Sequence, residues 1–174
     1  MFEVLNDALQ DSLEVRDYKE AKKIVSKMEK IIIRNIFKDE EKVENGIDPT
    51  NLLKNEEIKK TIVLANKEIY KDNKNIKVYL DDKRKTPDGY IRAFWPEDVY
   101  TFLNNLNVVE LSLDHDLGDD THGTGYDVVC YIEEKIYLEE MDLIPIKVHS
   151  DNSSAVKKMK LGISNINALC HFKR

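Results

Sequence analysis

Leu111-Ser-Leu-Asp-His-Asp-Leu-Gly118 is the stretch whose reading decides the fold. A short apolar run stops at Asp114, His115 and Asp116, and a glycine follows two residues later. Two acids and an imidazole packed into three residues cost stability unless something needs them. The chain repeats the arrangement twice. Val78-Tyr-Leu-Asp-Asp-Lys-Arg84 is an apolar run ending in paired acids and an arginine. Ile146-Lys-Val-His-Ser-Asp-Asn152 ends in His149, Ser150 and Asn152. Three strands with polar ends make one site if they lie parallel and side by side.

Working outward, the pattern beyond Asn75 alternates. Residues 76–80 and 108–113 read as strands, as do 144–148. Residues 96–106 and 126–138 carry apolar residues at helical spacing. Residues 86–95 contain Pro87 and Asp88-Gly89 and so begin as a turn or loop. Residues 118–125 form a loop with three glycines, in which His122 is expected to be solvated. Asn152 or Ser153 is expected to cap a short helix that runs to Lys160 and stops at Gly162, with residues 161–166 as a final edge strand. Short, continuously apolar strands alternating with helices predict a parallel sheet covered on both faces. Right-handed crossovers then bring every strand's C-terminal end to one edge, where open parallel sheets bind ligands.

Residues 1–75 read differently. Phe2, Leu5, Leu9 and Leu13 share one helical face. Ala21, Ile24, Val25, Met28, Ile31, Ile32 and Ile36 form a stronger stripe. Asn45-Gly46 breaks the pattern, Asp48-Pro49 reads as a cap and first-turn proline, and Asn55 as the cap of a helix over 56–70. The expected division is a helical N-terminal region, 1–75, and an α/β domain, 76–174. The N-terminal stripe is expected to form an internal core, a docking face or a homo-oligomer seam.

The net charge of -6 disfavours a broad nucleic-acid surface. It is unevenly spread: residues 1–75 carry net -1 and residues 76–174 net -5, so the excess sits with the three motifs. Cys130 and Cys170 form no metal-type pair. No secretory signal and no membrane-length apolar run are expected, and a reducing cytoplasm is the simplest compartment.

Asp81, Asp82, Asp114 and Asp116 would bring four carboxylates to one edge. Such a cluster calls for protonation, pairing or a bound cation. Oxygen-rich sites suit Mg²⁺ or Mn²⁺, and added histidines extend the choice to Fe²⁺ or Zn²⁺. Asp114, His115 and His149 are the candidate catalytic residues, the histidines as general acid and base or as ligands. Arg84, Ser150 and Asn152 are candidates for holding a phosphate, with Arg92 as a further candidate. The partner this chemistry fits is a phosphorylated small molecule or an RNA end.

Four motifs resemble those of the cyclic-phosphate processing receiver-like domains, a divergent branch of the response-regulator receiver fold. They are Leu80-Asp81-Asp82-Lys83-Arg84, Ser112 to Gly118, Thr124-Gly125-Tyr126-Asp127 and Val148-His149-Ser150-Asp151-Asn152. The resemblance covers roughly residues 76–162. It implies a receiver-like three-layer fold and a phosphoesterase acting on a cyclic phosphate, in RNA repair or phage–host conflict. Ser153-Ser154-Ala155 departs from the family's usual proline and glycine-basic continuation. No Lys-Pro pair ends a late strand, which argues against conventional phosphorelay. The alternative is a noncatalytic module that binds or sequesters a phosphorylated or cyclic nucleotide.

Overall fold

The computed structural model describes residues 2–41 and 49–172, with side chains over 2–36 and 54–169. The chain divides into two compact units. One is Met1–Asn73 with Lys83–Lys85; the other is Lys74–Asp82 with Thr86–Arg174.

The first unit holds α1 (Phe2–Glu14), α2 (Tyr18–Glu41) and α3 (Pro49–Tyr70). Each packs on the other two. Leu9, Ala21, Ile24, Val25, Met28, Ile32, Ile58, Ile62 and Ile69 are buried, as the apolar stripes require. Arg16, at a left-handed φ of 58°, turns the chain from α1 to α2. Asn55 does not cap a helix. It lies inside α3, buried, and its Oδ1 accepts a hydrogen bond from Asn35 Nδ2 at 3.0 Å. The expected break at Asn45-Gly46 and the cap at Asp48 lie outside the described residues.

The second unit is α/β and receiver-like. Its four parallel strands are β1 (Ile76–Leu80), β2 (Tyr90–Ala93), β3 (Val108–Leu113) and β4 (Ile146–Val148), in the order β2-β1-β3-β4. That is the order in which flavodoxin-like sheets begin. The expected turn is found at Asp88-Gly89, and strand β2, which the sequence did not disclose, follows it directly. The strand is four residues long and carries Arg92 in an otherwise apolar setting, so its periodicity is too brief to read. Three helices follow their strands: α4 (Pro96–Asn105), α5 (Gly125–Tyr137) and α6 (Ser153–Phe172). Helix α6 runs through the expected stop and the expected edge strand. Gly162 is buried within it, and a Cβ there would come within 2.8 Å of Val129 Cγ1. The glycine therefore serves close packing of α6 on α5 rather than termination.

The strands alternate and are not continuously apolar. Register pairs Val78 with Ile91 and Leu111, and Leu80 with Ala93 and Leu113, so these share one face. Both crossovers, β2-α4-β3 and β3-α5-β4, advance in the same direction across the sheet. Right-handed connections therefore place α4 and α5 on the same face. Helix α6 packs beside α5 and against β4. Val99, Phe102, Val128, Ile132 and Met159 close that apolar layer. The opposite face carries Lys77, Tyr79, Tyr90, Arg92, Glu110, Ser112 and Lys147.

On that polar face Glu110 ties three strands. Lys147 Nζ reaches its Oε1 at 2.7 Å, Tyr90 donates its hydroxyl to the same oxygen, and Lys77 Nζ lies 3.7 Å from Oε2. The hydrogen bonds from Lys147 and Tyr90 hold the Glu110 carboxyl down at about 2. Its folded value lies below the ordinary 4.5, so ionisation favours the folded state. That contribution is complete above the ordinary carboxylate range and is lost as pH falls toward about 2. Glu110→Gln should therefore lower Tm near neutral pH, and its gap to the parent protein should close as the acid is titrated. A gap that stays constant across that window in thermal scans would contradict this account.

Candidate functional site

The backbone ladder continues one residue past each strand end. Asp81 N donates to Ala93 O at 3.2 Å, Asp114 N to Leu80 O at 2.9 Å and His149 N to Leu113 O at 3.0 Å. These bonds set Asp81, Asp114 and His149 in a row at one edge of the sheet, on its polar face. One carboxylate oxygen from each acid and one His149 ring nitrogen lie within 4.8 Å of one another. Asp81 is 0% exposed and Asp114 5%, while the His149 side chain keeps 21%. The three residues stand close enough to hold a metal ion.

The histidine is held on three sides. Its ring stacks on Tyr79, with centroids 4.3 Å apart and planes 7° from parallel. Tyr79 lies on β1 and His149 follows β4, with Ser112 of β3 between them. Strands one apart from neighbours stand roughly 10 Å apart, so the two rings meet only by leaning together over a small residue. Ser112 is that residue, and its Oγ lies 2.8 Å from His149 Nδ1. His149 Nε2 then faces Asp81 Oδ2 at 3.2 Å, and Tyr79 donates its hydroxyl to the same oxygen, also at 3.2 Å. Ser112 suits either tautomer. If it donates to Nδ1, Nε2–H bonds to Asp81. If it accepts from Nδ1–H, Nε2 presents a lone pair beside two carboxylates, which is the arrangement a histidine ligand needs. The donor set fits a cation on that ground.

Pleat alternation predicts the opposite side for the next residue on each strand, and the contacts agree. Neither Asp82 nor His115 belongs to the close group. Asp82 is 6% exposed, and its carboxylate lies over Gly118, where a Cβ would come within 2.9 Å of Oδ2. His115 is half-buried, with Nε2 3.9 Å from Asp116 Oδ1. Its Nδ1 is one of two buried side-chain polar atoms without a hydrogen-bond partner among the described residues. Asp116 is exposed, and its Oδ1 is 3.5 Å from Asn152 Nδ2.

Ser150 and Asn152 build the start of α6. Asn152 N donates to Ser150 Oγ at 3.3 Å, and Asn152 Oδ1 accepts from Ala155 N at 3.1 Å and Ser154 Oγ at 2.8 Å. Asn152, rather than Ser153, is therefore the cap. Arg92 is 0% exposed. Its Nε donates to Thr86 Oγ1 at 2.9 Å and its Nη1 to the carbonyl of Asp81. It thus anchors the backbone of Asp81 from within the core. Arg84 is half-buried and sits in Lys83–Lys85, outside the sheet's unit.

Two positioning residues, Tyr79 and Ser112, escaped the sequence reading. Their signal was present in the spacing Tyr79-x-Asp81 and in a lone serine between Leu111 and Leu113. His122 is not simply solvated: its ring stacks on Trp95 at 4.3 Å and 18°.

A short parallel sheet in this order, with two buried acids at its C-terminal edge, is a receiver-like fold. The chain belongs to the cyclic-phosphate processing receiver domain family, whose model matches residues 76–165. No curated protein and no solved structure matches the chain. Among the described residues no helix is long and apolar enough to cross a membrane.

Gly125, at the start of α5, closes the site's backbone. It donates its N–H to His115 O at 3.1 Å, and a Cβ would lie 1.8 Å from Asp114 O. Gly125→Ala should force the Asp114 carbonyl away, at a cost of roughly 1–3 kcal/mol. Chemical denaturation would measure it, and an unchanged midpoint would contradict the close approach.

Proposed function

We propose that the chain is a phosphoesterase that opens a cyclic phosphate on a nucleotide or RNA end, assisted by a divalent cation. The observation that carries this reading is the convergence of Asp81, Asp114 and His149 at the strand ends of a family described by cyclic-phosphate processing. In this reading the two carboxylates and His149 Nε2 hold the cation. Oxygen-rich donors favour Mg²⁺ or Mn²⁺, and the nitrogen admits Fe²⁺ or Zn²⁺. When bound, the cation supplies charge to a phosphoryl oxygen and acidity to water.

The chain's own residues do the rest. Tyr79 and Ser112 fix the His149 ring, so its nitrogen is presented without reorganisation. In this reading the proton-transfer group is His115, which follows Asp114 at the β3 end with its Nε2 3.9 Å from Asp116 Oδ1. The α6 N-terminus, capped by Asn152, presents backbone N–H groups to an anion. In the reaction, a P–O bond forms from water, one ring P–O bond breaks, and the released ring oxygen takes a proton, leaving a phosphomonoester.

The test is product analysis by ³¹P NMR with a nucleoside 2′,3′-cyclic phosphate. A chelator should abolish turnover and Mn²⁺ should restore it. His115→Ala and His149→Ala should each slow turnover by at least about 10²-fold while circular dichroism stays native. Full activity in both variants would overturn the assignment. Tight binding of an unchanged ligand would favour the noncatalytic module instead.

A further inference from the structure

Trp95 is the chain's one tryptophan. It follows β2, two residues beyond Ala93, whose carbonyl accepts from Asp81 N. Two residues of chain span at most about 7 Å, so the Trp95 backbone lies at the same sheet edge as Asp81. Trp95 is 9% exposed, and His122 stacks on its ring at 4.3 Å. The His122 side chain itself keeps 43% of its surface in solvent, with Nε2 4.0 Å from Asp119 Oδ2. An aromatic surface is therefore presented outward next to the acidic edge.

The loop that carries His122 is pinned at both ends against the residues that follow β1 and β3. At one end Gly118, with φ at 83°, lies against the Asp82 carboxylate. At the other, Gly125 lies against the Asp114 carbonyl. Between them Gly123, with φ at 88°, leaves a Cβ position 3.3 Å from Pro96 Cγ. Asp119 Oδ1 accepts from Thr121 N at 2.9 Å and Thr121 Oγ1 at 2.7 Å. Two glycines at positive φ and the close approach of Gly125 to the Asp114 backbone hold the loop that carries His122.

We propose that the His122–Trp95 pair is a nucleobase subsite. The base stacks on the outer face of His122 while its phosphate lies at Asp81, Asp114 and His149. Where the phosphate lies rests on the reading under Proposed function; the stacking does not. Base stacking on a protein ring tolerates any base, because every base has a π-face.

Trp95 reports directly on its own subsite. Its fluorescence would be followed during titration with 2′,3′-cyclic AMP, with base-free ribose 5-phosphate and with a short RNA ending in a 2′,3′-cyclic phosphate. Cyclic AMP should change the emission and bind about tenfold or more tightly than the sugar phosphate. His122→Ala should bring that preference close to one. Tighter binding of the RNA end than of the mononucleotide assigns the base to RNA, and the reverse assigns it to a free nucleotide. Equal affinity for cyclic AMP and ribose 5-phosphate, no response to either, or a full preference kept in His122→Ala would overturn the subsite. Product formation is read in the same samples. Base preference without product keeps the subsite and sinks the phosphoesterase reading; product without base preference does the reverse.

Discussion

Three backbone hydrogen bonds, each one residue past the end of a strand, carry the rest of the structure's chemistry. They bring Asp81 and His149, 68 residues apart in the chain, within hydrogen-bond distance. Two carboxylates buried that close repel each other unless something compensates. Part of the compensation is visible: the Tyr79 hydroxyl and the His149 ring meet Asp81, and the backbone N–H of His115 meets Asp114 Oδ1 at 2.7 Å. A cation held between the acids and His149 would supply the remainder.

The polar face of the sheet does two jobs along its length. Toward the strand starts, Lys77, Tyr90 and Lys147 tie their strands to β3 through Glu110. Toward the strand ends the same face carries Tyr79, Ser112, Asp81, Asp114 and His149. The apolar face does the ordinary work of packing α4, α5 and α6. Alternation thus separates the layer that stabilises the domain from the layer that builds its site. It also explains why consecutive motif residues part company: Asp81 and Asp82, or Asp114 and His115, sit on opposite sides of one strand end.

The α/β class and the three motif-bearing strand ends were legible because polar residues that end apolar runs are rare without a reason. What escaped depended on contacts distant in sequence. Strand β2 is four residues long, and its Arg92 looks like a ligand-binding side chain until the fold buries it. Gly162 and Asn55 carry the local signature of helix ends, yet both lie inside helices. One meets Val129 across a helix pair and the other meets Asn35 of another helix. Asp116 matches the acidic motif but falls beyond the pleat, in solvent. The Trp95–His122 stack joins a strand end to a loop, and no spacing rule connects them.

The central claim is that Asp81, Asp114 and His149 act together as one cation site. Thermal unfolding with increasing Mn²⁺ tests it most directly, because a ligand that binds only the folded state raises stability by a set amount, about 2.7 kcal/mol at roughly 100 times its Kd. Mn²⁺ should raise the Tm of the parent protein, and Asp114→Asn and His149→Ala should each remove most of that rise. An identical Mn²⁺ response in the parent and in both variants would contradict the site.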